Sequence, residues 1–417
     1  MKRGLVLILI LALALSLLTS CELMVPGPTE RLPIGGATEP AGSADPSQSQ
    51  KTWKEGVGPD HDRSFSHGGG GGGTNAGSTE DTFYYVLWQD KLIRYADKAT
   101  GISGPLCGKP ECTHDNAGCN AYLSETAWGL TNYDGRLYWV GTNGYRYIYS
   151  SALDGTDRRV VRELDREITG SSLNGSQVQF HRGYLYWAHY SNVVVNGVAQ
   201  QVARVFAFSL DPDEEGFVIF EEENYGWMSV QPYLGGLYIA TIDGEVDRTD
   251  YDLVLYRWDI RTREMEELYR GVVPVVMEEL WVVDDGILLH GGFSTEFGYH
   301  RGVYKFSFES GEVDELFPMV DSVEGEYSFT CSVANGLFIA NAVNGSGERK
   351  IVVKDFDGNT VLDTTLKADW LTFDRPMHCF GVDETYMYFY YSGDYAVAVP
   401  LDGSEMKLLW SSDAGAY

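Results

Sequence analysis

An apolar residue at the start of an aromatic-rich strand recurs about every fifty positions over most of the chain. Each copy follows a turn, and the apolar residues are Leu137, Leu185, Leu237, Ile287, Leu337 and Met387. Their spacings are 48, 52, 50, 50 and 50 residues. The run Phe83-Tyr84-Tyr85 fits as a seventh, degenerate copy. A period near fifty with several short strands per copy is typical of a propeller.

Each copy divides into four short strands. In the second copy we predict them at Thr126–Asn132, Arg136–Gly141, Tyr147–Leu153 and Arg158–Leu164. The turn Leu153-Asp154-Gly155-Thr156 favours a hairpin, because glycine tolerates a positive φ. The third strands alternate apolar and polar residues, as expected of a sheet packed between neighbours. We therefore predict an all-β fold, a β-propeller with seven blades, and keep six or eight blades as alternatives.

The second copy resembles the repeat of the low-density-lipoprotein-receptor type of propeller. The resemblance rests on Gly135-Arg-Leu-Tyr-Trp139 and on the leucine–aspartate–glycine turn at 153–155. The threonine–aspartate pair that follows tyrosine–tryptophan in that family is absent, and Val140-Gly141 and Ala188-His189 stand in its place. The resemblance implies a propeller, although that family has about six copies and this chain has seven.

The first twenty residues are predicted to be a lipoprotein signal peptide. Lys2-Arg3 precedes an apolar stretch too short for a typical transmembrane helix. The end of that stretch, Leu18-Thr19-Ser20-Cys21, resembles the bacterial lipobox. The resemblance implies that Cys21 carries acyl chains such as palmitate and anchors the protein to the extracytoplasmic face of a bacterial cell membrane. The alternative is an ordinary signal peptide that happens to meet a cysteine.

The composition predicts a tether followed by one domain, and the charge excludes one class of partner. Residues 21–79 are rich in Pro, Gly and Ser and are predicted to be disordered, while residues 80–417 form the propeller. The formal net charge of −29 repels nucleic acid. The expected partners are the membrane, through the N-terminal lipid, and a glycan, peptide or protein ligand that the sequence does not identify.

Three cysteines and a histidine lie within thirteen residues between the first and second copies: Cys107, Cys112, His114 and Cys119. The segment resembles one found in surface lipoproteins of gut Firmicutes, a resemblance that carries no assigned activity. Thiolates and an imidazole can close a tetrahedral zinc site, although this spacing is tighter than in common zinc frameworks. Outside the membrane, cysteines more often form disulfides, and the sequence does not fix their connectivity. A structural disulfide and a structural zinc site both stay open, and no other cofactor is expected.

Catalytic motifs are scarce, and the candidate ligand-binding residues lie in loops. The sequence contains no Gly-x-Ser-x-Gly and no His-Glu-x-x-His. Insertions between second and third strands fall on one rim of a propeller, often the binding rim. The acidic loop 242–252 and the aromatic loop 291–301 belong to consecutive copies, so we expect them to lie side by side and suit a sugar, peptide or cation. Their candidate residues are Asp243, Asp247, Phe293, Phe297, Tyr299 and His300. The alternative is that these loops only cover the rim.

These observations lead to a prediction of a membrane-anchored, extracytoplasmic propeller that binds a ligand or scaffolds partners without catalysis. The alternative is an envelope or carbohydrate-active enzyme with a site in the central channel. That alternative needs acids or histidines from several first strands, because propellers host both classes and the fold does not decide between them.

Overall fold

The computed structural model describes residues 76–86, 91–125, 127–141, 147–164, 177–195, 198–223, 227–243, 251–273, 276–295, 298–318, 328–334, 337–343, 349–366, 377–382, 385–391 and 395–411. Every regular element in these ranges is a β-strand, and the strands form seven four-stranded sheets. The prediction of an all-β propeller with seven blades is confirmed, and the alternatives of six or eight are wrong. Within the same ranges no helix is long and apolar enough to cross a membrane. Residues 1–75, which include Cys21, lie outside the described residues.

Each blade consists of four strands that are consecutive in the chain. Blade 1 has β1 (Ala76–Ser78), β2 (Thr82–Tyr85), β3 (Arg94–Asp97) and β4 (Ser103–Pro105). Blade 2 has β5 (Ala127–Tyr133), β6 (Arg136–Gly141), β7 (Tyr147–Ala152) and β8 (Arg159–Glu163). Blade 3 has β9 (Gln177–His181), β10 (Tyr184–Val195), β11 (Val198–Ser209) and β12 (Phe217–Glu223). Blade 4 has β13 (Trp227–Tyr233), β14 (Gly236–Asp243), β15 (Tyr251–Asp259) and β16 (Met265–Val273).

The remaining three blades follow the same plan. Blade 5 has β17 (Val276–Val283), β18 (Gly286–Thr295), β19 (Gly298–Ser307) and β20 (Val313–Pro318). Blade 6 has β21 (Ser328–Ala334), β22 (Leu337–Val343), β23 (Arg349–Asp355) and β24 (Thr360–Leu366). Blade 7 has β25 (His378–Val382), β26 (Tyr386–Tyr391), β27 (Tyr395–Pro400) and β28 (Lys407–Ser411). Neighbouring strands are antiparallel. The first strands of blades 1 to 5 contact one another in succession, and so do those of blades 6 and 7.

The recurring apolar residues of the second strands fill the interfaces between blades. Leu185 and Trp187 of β10 pack against Val140 and Trp128 of blade 2. Leu237 of β14 packs in the same way against blade 3. Since side chains on one face of a strand alternate with period two, these residues all point to the preceding blade. The repeat in the sequence is therefore the repeat of the inter-blade core.

Blade 6 departs from the predicted alignment by one residue. Its second strand begins at Leu337, which pairs with Ala334, whereas in blade 5 the corresponding first position is Gly286, paired with Val283. Phe338 consequently faces the blade 5 core, and Leu337 packs on the blade 7 side. The position that aligns with Leu137 is Phe338, because a shift of one residue turns every side chain to the other face.

The ring closes where blade 7 meets blade 1. Phe83 of β2 stacks on Tyr388 of β26, with ring centroids 4.3 Å apart and planes within 7°. Tyr85 and Ala76 belong to the same buried cluster as Ala396 and Ala398 of β27, with Leu409 packed against it. Among the strands in the described part of the chain, none from one terminal blade joins the sheet of the other. The ring is thus closed by side-chain packing between the two sheets.

The propeller begins earlier than the sequence indicates. Residues 76–78, assigned above to the tether, form β1 and pair with Phe83, Tyr84 and Tyr85. Gly77 lies so close to blade 2 that a Cβ there would be 2.8 Å from the backbone nitrogen of Asn132. The small residues that resemble a linker are therefore the ones that let the first strand fit against its neighbour.

Two of the predicted loops are strand extensions. Residues 291–295 and 298–301 continue β18 and β19, and Phe293 lies opposite His300 in the ladder. The sequence places a further insertion between second and third strands at 190–202 of blade 3, and there β10 continues to Val195 and β11 begins at Val198. Each of these predicted rim loops is instead a long hairpin, because cross-strand pairing extends through residues that the sequence pattern assigned to the loop.

The tight turns between first and second strands require a left-handed backbone. Asp134 and Gly135 have φ of 46° and 72°, and Arg182 and Gly183 have φ of 48° and 83°. Leu234 occupies the same place in blade 4 with φ of 50°. Two-residue hairpins of this type favour Asn or Asp followed by Gly, so Leu234 is held in a conformation that a leucine rarely adopts.

Candidate metal centre and proton-transfer pair

The Cys–His segment, residues 106–123, fills the space between blade 1 and blade 2. The strands of blade 1 have only three or four residues. Leu106, Cys119 and Leu123 therefore take part in the core that covers Leu137 and Trp139 of blade 2. The segment completes an interface that the short first blade leaves incomplete.

Hydrogen bonds fix the segment to both blades. On the blade 1 side, the Ile93 amide donates to the Ala121 carbonyl at 2.9 Å, and the Leu123 amide donates to the Lys91 carbonyl at 2.7 Å. On the blade 2 side, the Arg158 guanidinium donates to the carbonyls of Asn120 and Tyr122. The same guanidinium lies 5.6 Å from the centre of the Trp139 ring.

The four predicted ligand residues converge within this segment. The Sγ atoms of Cys107, Cys112 and Cys119 and a ring nitrogen of His114 all lie within 4.8 Å of one another. The His114 Nδ1 is 3.2 Å from the Cys119 Sγ. All three cysteines are free thiols. Positive φ values at Glu111 and His114, 61° and 57°, turn the backbone so that the ligands face one point.

The three sulfurs lie in different electrostatic surroundings. Burial raises the pKa of the Cys107 thiol, but the amides of Lys109 and Asn120 donate hydrogen bonds to its sulfur, and the net pKa falls to about 7. Burial raises the pKa of Cys119 to about 11, although the amides of Ala121 and Tyr122 act in the opposite direction. A hydrogen bond from a backbone amide to sulfur stabilises the thiolate, which is the form that binds metals.

A second cluster, the Glu125–Tyr149 pair, lies at the other end of the same connection. Glu125 precedes β5, the innermost strand of blade 2, and Tyr149 lies on β7. The Tyr149 hydroxyl donates to the Glu125 Oε1 at 2.8 Å, and both residues are partly exposed. Burial, followed by the hydrogen bond to Glu125, raises the pKa of Tyr149 well above its usual range. The phenol therefore holds a proton at neutral pH.

Gly141 makes room for this pair. A Cβ at Gly141 would be 2.4 Å from the Glu125 Oε1 and 2.7 Å from the Tyr149 Cε2. In the second copy, Val140 and Gly141 stand where the resembled repeat has its threonine–aspartate pair. The space opened by that departure is occupied by a carboxyl and a phenol that face each other.

The predicted rim residues are placed only by their backbone. Asp243 ends β14 opposite Asp252, and Phe293 lies opposite His300 on the β18–β19 hairpin. Tyr299 lies opposite Ser294 on the same hairpin. Asp247 and Phe297 lie outside the described residues. The proposed ligand site on these residues therefore stays a prediction.

The first strands of blades 1 to 4 present polar but uncharged groups. None of these four strands contains Asp or Glu. Gln179 donates to the Val230 carbonyl at 2.7 Å, and the His181 Nε2 donates to the Leu234 carbonyl at 2.7 Å. These side chains connect successive blades. Glu125, just before β5, is the carboxyl group closest in sequence to the start of a first strand in blades 1 to 4.

The sequence matches no protein-family model and no curated protein. Among solved structures, it is similar to a prolyl endopeptidase at 11% identity and a TM-score of 0.51, over 84% of this chain and 50% of that chain. This chain thus spans half the length of that enzyme. It is also similar to the β-propeller domain of the trilobed protease of Pyrococcus furiosus, at 12% identity, 85% and 98% coverage and a TM-score of 0.47. A third similar structure is oligogalacturonate lyase from Vibrio parahaemolyticus, at 9% identity, 82% and 90% coverage and a TM-score of 0.45.

The likeness to a prolyl endopeptidase contradicts the prediction of a non-catalytic binding or scaffold propeller and favours its alternative, an enzyme. At 11% identity the likeness to prolyl endopeptidase establishes the propeller fold. The prediction was wrong because missing peptidase and metalloprotease motifs do not mean missing catalysis. Glu125 and Tyr149 belong to no motif, and the glycine at position 141 is the sequence feature that accompanies their contact.

Proposed function

We propose that this chain is an enzyme of the hydrolase or lyase class that works by proton transfer at the Glu125–Tyr149 pair. The supporting observation is the hydrogen bond of 2.8 Å between a phenol that stays protonated and a carboxyl that accepts from it, both partly exposed. Bond cleavage of either class needs a positioned proton donor and acceptor. Tyr149 would give its phenolic proton to the leaving oxygen as the bond to carbon breaks. The Glu125 carboxylate would take a proton from the attacking water in hydrolysis, or from the adjacent substrate carbon in elimination, and would return it to the Tyr149 phenolate along their hydrogen bond.

The proposed substrate is a neutral or basic glycan. The sequence has no Gly-x-Ser-x-Gly motif, which disfavours the serine chemistry of peptidases. The net charge of −29 disfavours polyanions such as oligogalacturonate by repulsion. A carboxyl beside a tyrosine suits hydroxyl-rich sugars, because it offers hydrogen-bond acceptors and an aromatic face together.

The proposed location is the outer face of a bacterial membrane, with Cys21 carrying the lipid. The support is the charged start, the short apolar stretch and the Leu18-Thr19-Ser20-Cys21 sequence. A long Pro-, Gly- and Ser-rich tether would let the propeller reach polymers at a distance from the bilayer. An extracytoplasmic location is consistent with a polymer substrate that does not enter the cell.

A substrate panel tests the function. The full chain is incubated with neutral, basic and acidic oligosaccharides and with prolyl peptides, and new reducing ends, unsaturated products or released amines are measured. We expect turnover of a neutral or basic glycan. The Tyr149→Phe variant should lose about 10²- to 10⁴-fold in kcat, the usual contribution of one proton-transfer group.

The matched control is Tyr147→Phe, on the same strand and with its ring 6.1 Å from that of Tyr149. It should keep its activity within a few fold, because Tyr147 is not a partner in the bond to Glu125. Absence of turnover across the whole panel would refute the proposed function. Equal loss in both variants would refute the assignment of Tyr149.

A further inference from the structure

We propose that Cys107, Cys112, His114 and Cys119 bind one zinc ion that fixes the connection between blades 1 and 2. The inference is independent of the proposed enzyme activity, since it concerns the Cys–His segment and needs no substrate. It decides between the two alternatives that the sequence leaves open.

The distances fit a tetrahedral site. Zinc–sulfur bonds of about 2.3 Å and zinc–nitrogen bonds of about 2.0–2.1 Å place neighbouring ligand atoms roughly 3.5–3.8 Å apart. The four ligand atoms here all lie within 4.8 Å of one another, and the His114 Nδ1 is 3.2 Å from the Cys119 Sγ. Small side-chain movements would therefore bring all four atoms into coordination.

The donor set favours a metal over a disulfide. A disulfide would use two of the three sulfurs and would give His114 no role. His114 nevertheless adopts a φ of 57° that directs its ring at the cysteines. Four protein ligands also fill the coordination of zinc and leave no position for water, so the site is structural and not catalytic.

The surroundings supply the contacts that a zinc–thiolate centre needs. Three thiolates and an imidazole around a divalent ion carry a net charge of −1, which nearby cations offset. The Arg158 guanidinium interacts electrostatically with Cys119, and the Lys109 ammonium reaches the Gly118 carbonyl at 2.5 Å, next to Cys119 in the chain. The Ala121 amide donates to the Cys119 Sγ at 3.3 Å, an outer contact of the kind that orients metal ligands.

The position of the centre explains what the ion would do. The Cys–His segment covers Trp139 and is hydrogen-bonded to both blades, yet most of residues 108–118 are solvent-exposed. A segment of this kind has little core of its own to hold its shape. Zinc binding in such segments contributes directly to folding free energy.

Metal analysis of the full chain, purified under reducing conditions without chelator, tests the inference. We expect one zinc per chain. Replacement by cobalt should give the visible bands and the thiolate charge-transfer absorption of a tetrahedral site. Calorimetric titration should show that His114→Ala weakens zinc binding by more than about a hundredfold, since even an outer-shell change costs ten- to a hundredfold.

The matched control is Cys379→Ala, which removes a buried cysteine in blade 7, outside the Cys–His segment. It should keep full zinc content, whereas Cys112→Ser should lose it. If a variant does not fold, the cobalt spectrum of the wild-type chain still tests for the tetrahedral site, because it needs no substitution. A chain that takes up neither zinc nor cobalt after reduction, or that binds zinc equally well without His114, would overturn the inference. Loss of glycan cleavage with zinc retained would count against the enzyme proposal alone.

Discussion

Truncation of Phe83 should open the ring at its junction. Phe83 is 1% exposed and lies parallel to Tyr388 at a centroid distance of 4.3 Å. Replacement of a buried phenylalanine by alanine costs about 3–5 kcal/mol, of which a stacked aromatic pair supplies about 0.5–1.5 kcal/mol. Because no described strand is exchanged between blades 1 and 7, side-chain packing in the cluster around this aromatic pair holds the two sheets together. We expect Phe83→Ala to lower the free energy of unfolding by about 4 kcal/mol.

Two measurements on Phe83→Ala and one control separate ring opening from general destabilisation. The control is Phe338→Ala, which removes a ring that is 0% exposed between blades 5 and 6. Urea unfolding followed by tryptophan fluorescence should give similar losses for both variants. Hydrogen exchange at 82–85 and 395–400 should accelerate selectively in Phe83→Ala, because local opening begins where packing is weakest. A loss below about 1 kcal/mol, or equal exchange at 82–85 in the two variants, would refute packing-only closure.

Three further predictions concern single positions. Leu234→Asn should raise the free energy of unfolding by about 1 kcal/mol in the same urea assay, because Leu234 is 41% exposed and its φ of 50° suits asparagine; a decrease would show that its side-chain contacts outweigh the backbone strain. His189 is 3% exposed, and burial and then Arg204 lower its pKa to about 4, so the unfolded chain takes up this proton first. The contribution of neutral His189 to the free energy of unfolding should be complete above about pH 6.5 and should fall by up to about 3 kcal/mol as the pH drops to about 4. A pH series in which His189→Leu shows the same slope as the parent would exclude this. Cys21→Ala should move the protein from the membrane to the soluble fraction or block its processing, and unchanged retention and mass would exclude lipidation at Cys21.

The repeat made the architecture predictable, because each copy carries the same local signals. The turn glycines and the aromatic second strands predicted blade 2 to within one residue at every strand boundary. The prediction failed where tertiary contact decides the outcome. Ala76–Ser78 has the composition of a linker, and its pairing with β2 and its close fit against Asn132 make it a strand. In blade 6, one residue more before the second strand placed Phe338 and not Leu337 in the core.

The two candidate sites also differ in how far the sequence predicts them. The cysteines and His114 lie within thirteen residues, so local spacing is enough to suggest their convergence. Glu125 precedes β5, whereas Tyr149 lies on β7, and their side chains meet across the space above Gly141. Neither residue belongs to a motif, and the register of three strands is needed to bring them together. Sequence patterns report on residues that are close along the chain, whereas the contact between Glu125 and Tyr149 depends on how the strands pair.

The stacking of Phe83 on Tyr388 has a consequence for how the protein is made. Blade 1 is synthesised first, and its aromatic face stays uncovered until residue 388 has emerged from the ribosome. At the usual rate of about 5–20 residues per second, this wait lasts roughly 15 to 60 s. During that time Phe83 and Tyr85 are uncovered on a nascent chain, a condition that attracts chaperones and favours aggregation. If blade 1 packs early against blade 2 through the Cys–His segment, only the face of blade 1 that later contacts blade 7 stays exposed in the intermediate.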